Sequence, residues 1–410
     1  MKYLRCSAAD CRNSLDLHDR ALECPRCGNL LEVFIEGDLP EPANLKKLWR
    51  ERRMSNDARD VSGVWRFREL LPDYPAETIV TLSEGNVPLV RARRAADWAG
   101  VRNLWFKHLG WNPTGSFKDL GMTAGMTEAR FMGAKTVGCA STGNTAASLA
   151  AYAARAGVTA RVYLPSGQAS ANKLAQALDF GAEVVQIEGS FDDALNVLLR
   201  AADPELYFLN SINPFRIEGQ KTAIFELLEQ FEWHVPDYLF VPGGNLGNSS
   251  AFGKALRELK QHGFIDRVPR IIIVQAEGAN PLARLWRSKG ASLQPLAHPD
   301  TAATAIRIGN PRSWKKALQA VEATGGRVLD VTDEELGEAK SVIGHDGIGC
   351  EPASATTLAG VRKLVAGGEI ERDAVIAAVL TGHALKDTEY IIKSHTKRID
   401  TAEPSMATLC

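Results

Sequence analysis

Three short runs in this 410-residue chain set reactive side chains among small, turn-forming neighbours. The first is Asn112–Asp119 (NPTGSFKD), which holds Lys118. A lysine buried in such a loop loses part of its proton affinity, and the neutral amine can condense with a carbonyl. On its own, a lysine is more often a solvated charge. The second run is Cys139–Thr145 (CASTGNT). Ser141, Thr142, Gly143, Asn144 and Thr145 stand where an apolar run gives way to an Ala-rich one. At a helix start, unpaired N–H groups and the helix dipole favour an anion. Simple helix capping is the plainer reading. The third run is Val241–Asn248 (VPGGNLGN), with Gly243, Gly244 and Gly247 between Asn245, Leu246 and Asn248. Such a loop lets backbone N–H groups wrap a phosphate, or it is only a tight turn. No Gly-Lys-Ser/Thr follows, and the spacing is not G-x-G-x-x-G, so the common nucleotide loops are excluded. An amine, a phosphate cradle and a carboxylate-binding loop together are what pyridoxal phosphate and an amino-acid substrate require.

A fourth group lies near the start: Cys6-x4-Cys11, then twelve residues, then Cys24-x2-Cys27. Two thiolate pairs can close a tetrahedral site, and four cysteine ligands leave no open position for catalysis. The pattern predicts a structural Zn2+; surface thiols without metal are the alternative. A redox pair is disfavoured because no βαβ pattern surrounds it. Cys139, Cys350 and Cys410 are scattered, so a disulfide framework is not expected.

The elements that must position these residues follow from the apolar rhythm. Apolar residues are 45% and charged residues 24% of the chain, with a net charge of −1. That is a globular composition, with no broad attraction for nucleic acid or membrane. No apolar run approaches the ~18 residues of a membrane span, and no secretory leader is evident. A cytoplasmic protein is therefore expected. Beyond residue 100, short apolar runs alternate with helical ones. Strands are expected at 135–140, 161–164, 183–187, 207–209, 237–241, 271–275 and 375–380. Helices are expected at 144–156, 170–180, 192–201, 216–231, 248–260, 334–341 and 353–364. A βαβα alternation calls for a mainly parallel sheet covered on both faces, with ligands at the carboxyl ends of the strands. Gly37, Pro40 and Pro42 mark a boundary after the cysteine segment.

Seven blocks carry a family resemblance: NPTGSFKD, ASTGNTAASLAAYAARAG, NSINPFRIEGQKTA, VPGGNLGN, TAIRIGNP, GIGCEPASA and LTGHALKD. In this order and spacing, from about residue 60 to 395, the chain resembles the threonine synthases, which are fold-type-II pyridoxal-phosphate enzymes. The lead-in SGVW, the intact PGGNLGN and Leu120, which stands where arginine is often found, resemble the plant-type branch, although Val87 stands where threonine is usual.

The resemblance implies a tryptophan-synthase-β-like α/β fold of two doubly wound α/β domains behind the zinc ribbon. The cysteine spacing places a ribbon at 1–36, and Gly37, Pro40 and Pro42 open a linker and lead-in helix at 37–59, to which the resemblance adds its domains. The large cofactor-binding domain would take 60–125 and 233–400, and a small mobile domain 126–232. The resemblance makes Lys118 the Schiff-base lysine and Gly243, Gly244, Asn245, Leu246, Gly247 and Asn248 the cofactor-phosphate cradle. Asn144 falls to the pyridine 3′-oxygen and Thr381 to the ring nitrogen. Ser141, Thr142 and Gly143 fall to the substrate carboxylate, and Thr145, Ser211, Asn213 and Arg216 to its phosphate. The implied reaction turns O-phospho-L-homoserine and water into L-threonine and phosphate, in a homodimer. A dehydratase or β-replacing synthase of the same fold is the nearest rival, disfavoured by the Asn213–Arg216 block. A zinc-ribbon regulatory protein on a degenerate scaffold is the more distant one, disfavoured by the intact Lys118.

Overall fold

The computed structural model describes residues 1–141, 143–166, 171–188 and 205–395. It opens with β1 (Lys2–Cys6), β2 (Ser14–Leu15) and β3 (Leu31–Ile35), followed by α1 (Pro42–Arg52) and α2 (Ala58–Val61). Next come β4 (Leu89–Arg91), α3 (Arg94–Ala99), β5 (Asn103–His108) and α4 (Lys118–Phe131). The middle holds β6 (Thr136–Ala140), α5 (Asn144–Ala156), β7 (Thr159–Pro165), α6 (Ala171–Asp179), β8 (Glu183–Ile187), β9 (Leu206–Phe208) and α7 (Pro214–Gln230). Then follow β10 (Tyr238–Pro242), α8 (Gly247–Gln261), β11 (Arg270–Ala276), α9 (Pro281–Ser288), α10 (Trp314–Ala323) and β12 (Arg327–Val331). The last elements are α11 (Asp333–His345), α12 (Pro352–Ala366), β13 (Val375–Leu380) and α13 (Thr388–His395).

Six strands form the larger sheet, in the order β12-β11-β10-β13-β5-β4. All neighbours are parallel except β4 on β5. Its central strands read as unbroken apolar runs because both faces are covered. Alternate residues divide between two cores. Leu239, Val241, Ile271 and Ile273 pack toward Trp49, Phe67 and Phe225 on one face. Phe240, Ile272 and Val274 pack toward Phe106, Leu336 and Leu358 on the other. A second sheet, β8-β7-β6-β9, is parallel throughout. Its core joins Val137 and Val162 to Leu149, Ala150 and Tyr152 of α5.

Helix ends follow local chemistry. Gly157, in the left-handed region at φ 71°, stops α5. Asn213 accepts from the backbone N–H groups of Phe215 and Arg216 and so caps α7, with Pro214 next. Thr332 and Glu335 form a reciprocal capping box on α11.

Two expectations change. The resemblance puts helix α7 in the small domain, but Ile217, Phe225 and Leu228 join the core under the six-stranded sheet, together with Leu120 and Ala124 of α4. Its apolar face matches that larger surface, and the pattern along a helix does not say which sheet it covers. Beyond residue 100, strands β5 and β12 and helices α4, α9, α10 and α13 are additions to the elements expected from the sequence. The helix expected at 192–201 lies outside the described residues.

The N-terminal segment forms a three-stranded antiparallel sheet, β2-β1-β3, with Leu4 opposite Val33 and Leu15. Its core is Leu4, Cys6, Leu17, Cys24, Leu31 and Val33, completed by Phe215 from α7. Fully burying a phenylalanine is worth about 1.5–3 kcal/mol, so Phe215 fastens this module to the rest. Among the described residues, no helix is long and apolar enough to cross a membrane.

Candidate active site

Lys118 begins α4, straight after a turn that the chain ties down in several ways. Gly115 takes φ 84°. The Asn112 side chain accepts from Gly85 N–H at 2.8 Å and donates to the Leu109 carbonyl at 2.7 Å. Buried Asp119 accepts from the backbone and hydroxyl of Thr114, both at 2.7 Å. Phe117 N–H donates to the Thr381 carbonyl at 2.9 Å, so the lysine loop hangs from the end of β13. The Lys118 ammonium lies 3.9 Å from the centre of the Phe117 ring. The side chain opens partly onto a cavity, yet protein surrounds its nitrogen. Burial, then the charge of Arg216, lowers its pKa to about 7, while Glu351 pulls the other way.

The cavity spans about 510 Å³, part of it open to solvent. Lys118, Asn144, Ser211, Arg216, Gly244, Asn245, Leu246, Gly247, Asn248 and Thr381 line it, so the structure brings together residues from separate loops. Gly243 sits just behind the wall; a Cβ there would meet Ile273 at 2.7 Å and Gln275 at 2.9 Å. A Cβ at Gly247 would stand in ordinary contact, 3.9 Å from Gln220 Oε1 and the Ser211 carbonyl. Leu246 reaches the helix start through the left-handed region at φ 65°. The first N–H groups of α8 have no partner within the helix, as an anion cradle requires. This pocket suits pyridoxal phosphate: an amine of lowered pKa, a glycine-lined cradle, an amide at Asn144 and a hydroxyl at Thr381. A second, open depression, lined by Arg50, Arg53, Leu89, Trp105, Glu229, Gln230 and Glu232, shares no residue with the first. It has neither a lysine nor a glycine cradle.

Arg216 is 1% exposed, and its Nε has no hydrogen-bond partner. Its Nη1 makes one long contact, 3.5 Å to the Leu209 carbonyl. Burial lowers its pKa to about 10, still well above neutrality. A buried guanidinium with spare donors is a site prepared for an anion. Ser211 Oγ accepts from the Asn245 amide at 2.7 Å, and Asn245 Oδ1 accepts from Arg312 N–H at 2.7 Å.

Other expected residues sit elsewhere. Asn213 is fully buried, and its amide is spent: the oxygen caps α7 and the nitrogen donates to the Phe208 carbonyl at 3.0 Å. It is therefore removed from the phosphate-binding set. Thr145 is buried in the first turn of α5, outside the cavity lining. Ser141 and Gly143 flank the cavity without lining it, with Gly143 N–H donating to Ser141 Oγ at 3.2 Å. Thr142 lies outside the described residues.

Glu351 is a site residue that sequence reasoning missed. It is buried in the cavity wall, where Asn144 Nδ2 and Thr381 Oγ1 each donate to it at 3.0 Å. Burial raises its pKa. Its one sequence signal, an acid directly before Pro352 at a helix start, is common to many helices without chemistry. Gln220, whose Oε1 has no partner, also lines the cavity.

The Sγ atoms of Cys6, Cys11, Cys24 and Cys27 all lie within 4.8 Å of one another. Gly28 turns the second knuckle at φ 69°, and its N–H donates to the Cys24 carbonyl at 2.8 Å. The Asn29 side chain donates to Cys27 Sγ at 3.3 Å and, as the largest cause, lowers that thiol to about 6. Four sulfurs this close suit one tetrahedral ion. Buried Cys139 and Cys350, each raised to about 12 by burial, are inert thiols.

Residues 80–382 match the model of the pyridoxal-phosphate dependent enzyme family. The threonine synthase of Methanocaldococcus jannaschii is 45% identical over 392 residues, covering 95% of this chain and 94% of that one. The threonine synthase of Mycobacterium leprae is 44% identical over 330 residues, 80% of this chain and 89% of that one. Among solved structures, Escherichia coli threonine synthase superposes with a TM-score of 0.71 at 19% identity, covering 98% of this chain and 93% of that one. A T.th. threonine deaminase superposes with a TM-score of 0.61 at 27% identity, covering 73% of this chain and 92% of that one. The fold is thus the fold-type-II α/β arrangement that several activities share. The long alignments at 44–45% identity narrow the choice: this chain belongs to the threonine synthase family of pyridoxal-phosphate dependent enzymes.

Proposed function

We propose that the chain converts O-phospho-L-homoserine and water into L-threonine and phosphate. The observation that carries this is Arg216: a buried guanidinium with spare donors, in the same cavity as Lys118. A substrate without a phosphate would leave that charge buried and unpaired, at a cost of several kcal/mol. A dehydratase has no use for it.

Lys118 would hold the cofactor, with the glycine loop at its phosphate, Asn144 at the 3′-oxygen and Thr381 at the ring nitrogen. When bound, pyridoxal phosphate supplies the electron sink for charge developing at the substrate's α carbon. Lys118 Nζ takes the α proton and then one from Cβ as phosphate leaves Cγ; it returns one at Cγ and, after water adds at Cβ, one at the α carbon. An amine with a pKa of about 7 can do both near neutrality. Arg216 and Ser211 hold the departing phosphate dianion through charge-assisted hydrogen bonds. Phe117 and Ile306 in the cavity wall restrict bulk water, so that one water reaches Cβ at the proper step.

The same proposal assigns one structural Zn2+ to Cys6, Cys11, Cys24 and Cys27, which would make the first module a zinc ribbon. Close approach of the four sulfurs supports it. The plant-type branch, the mobile small domain and the homodimer are carried by the family resemblance, and the cytoplasmic location by the chain's globular composition.

Two measurements test the proposal. Lys118→Ala should lose both the visible absorbance of the bound cofactor and phosphate release from O-phospho-L-homoserine. Wild-type protein with the band but no phosphate release would move the activity to a dehydratase. Protein purified without chelator should carry roughly one zinc per chain; less than half of that removes the zinc assignment.

A further inference from the structure

We infer that the N-terminal four-cysteine module is a positioning element for the phosphate end of the active site, acting through Phe215 on Arg216. This rests on the reading of Arg216 as the substrate-phosphate ligand.

Among the described residues, the module's core contains a single one from outside its own segment. Phe215, 1% exposed, completes the cluster formed by Leu4, Cys6, Leu17, Cys24, Leu31 and Val33. Two of those residues are cysteines of the sulfur cluster. The next residue along α7 is Arg216. Both belong to the first turn, and both backbone N–H groups donate to one Asn213 oxygen, at 3.0 and 3.4 Å. The guanidinium itself has almost no anchor, with Nε unpaired and one contact at 3.5 Å. Its place is therefore set by the backbone that carries it, and that backbone is pinned by Phe215. Gly125 closes the other side, where an added Cβ would lie 3.0 Å from Arg216 Cγ.

Further ties run from the module to the cavity wall. Lys254 of α8, the helix whose start forms the glycine cradle, is buried against the Val33 carbonyl and Glu218 of α7. Glu32 of β3 holds Lys316 at 2.9 Å and Arg257 at 3.1 Å. From the cysteine knuckle, Glu23 pairs with Arg312 at 2.7 Å, and Arg312 N–H donates to Asn245 at 2.7 Å. An adaptor or a docking knob would need none of these contacts. A module that places the catalytic face requires them, because packed elements transmit displacement with little loss.

The test uses the full-length, cofactor-loaded protein with inorganic phosphate as probe. Affinity is read by calorimetry beside KM and kcat for O-phospho-L-homoserine. Arg216→Gln reports on the underlying reading. It should weaken phosphate binding about tenfold or more, the worth of a charge-assisted hydrogen bond. An unchanged affinity removes Arg216 from that role whatever Phe215 does. Phe215→Ala reports on the inference. Phosphate affinity should fall about fivefold or more, within the usual coupling between adjoining residues. KM should rise in step, while kcat and the cofactor's visible band stay close to wild type. Phe215→Leu, which keeps the core filled, should recover most of the loss and sit about twofold below wild type. In an Arg216→Gln background, Phe215→Ala should cost no further phosphate affinity. Full additivity of the two substitutions overturns the inference. So does wild-type affinity in Phe215→Ala or, if that variant does not fold, in Phe215→Leu.

Discussion

Lys118 faces two opposing influences, and their balance sets its chemistry. Burial and the neighbouring Arg216 disfavour the ammonium; Glu351 favours it, and the first pair wins. With the amine lowered to about 7 from an ordinary value of about 10.4, most of it is neutral at physiological pH. Cofactor capture by the cofactor-free chain should therefore speed up as pH rises through about 7 and then level off. Below that point the rate should fall about tenfold per pH unit, as the ammonium replaces the amine. Growth of the visible band after adding pyridoxal phosphate measures this, and a midpoint near ~10 would mean the lysine is unshifted. Lys118 and the glycine loop stood out in the sequence as unusual combinations after apolar runs, whereas Arg216 entered only through the family resemblance; all of them line one cavity. Asn213 misled because an asparagine before proline at a helix start serves as a cap as readily as a ligand. Glu351 escaped because nothing in one acid's neighbours reveals that an amide and a hydroxyl from two distant loops will converge on it.

Helices α4 and α7 carry Lys118 and Arg216 in their first turns, so their separation fixes the distance between amine and anion site. They touch backbone to backbone. A Cβ at Gly219 would lie 1.8 Å from the Leu120 carbonyl oxygen, and one at Gly121 would lie 2.8 Å from the Arg216 carbonyl oxygen. Gly219→Ala must therefore push α4 away from α7, because neither carbonyl can swing aside within a helix. Overpacking of this kind costs about 1–3 kcal/mol, and backbone collision puts this site at the upper end or beyond. Urea denaturation should show that loss, and the folded fraction should release phosphate more slowly as the two side chains are drawn apart. An alanine tolerated within about 0.5 kcal/mol would mean that the contact yields cheaply. The sequence displayed helix α7 but not this contact. Periodicity gives each helix an apolar face, whereas the partner of that face depends on residues far away in the chain. Strand β12 was missed for a related reason: RVLDV is short and carries a charge at its first and fourth positions, so it alternates poorly.

At the scale of the whole molecule, one side chain ties the end of the six-stranded sheet to the four-stranded unit. Lys386, in the turn after β13, donates to the Thr114 carbonyl at 3.1 Å, inside the lysine loop. The same ammonium donates to the Gln176 side chain on α6, which belongs to the four-stranded unit. Burial lowers its pKa, and the nearby carboxylates of Glu351 and Asp119 oppose that shift. Gly115 is open enough for the stem to pass: a Cβ there would lie 3.1 Å from Lys386 Cδ. Reading the four-stranded unit as a cover over the site gives this tie a consequence. Lys386→Met keeps the apolar stem and removes the ammonium, so the cover should be held less firmly while the reacting groups stay in place. Water would then enter before Cγ is protonated, and more turnovers should end in an α-keto acid rather than threonine. The ratio of keto acid to threonine, measured by NMR at equal phosphate release, should rise several-fold over wild type. If that ratio is unchanged while KM rises, Lys386 only shapes the substrate's entry, and water is kept out by the cavity wall of Phe117 and Ile306 instead.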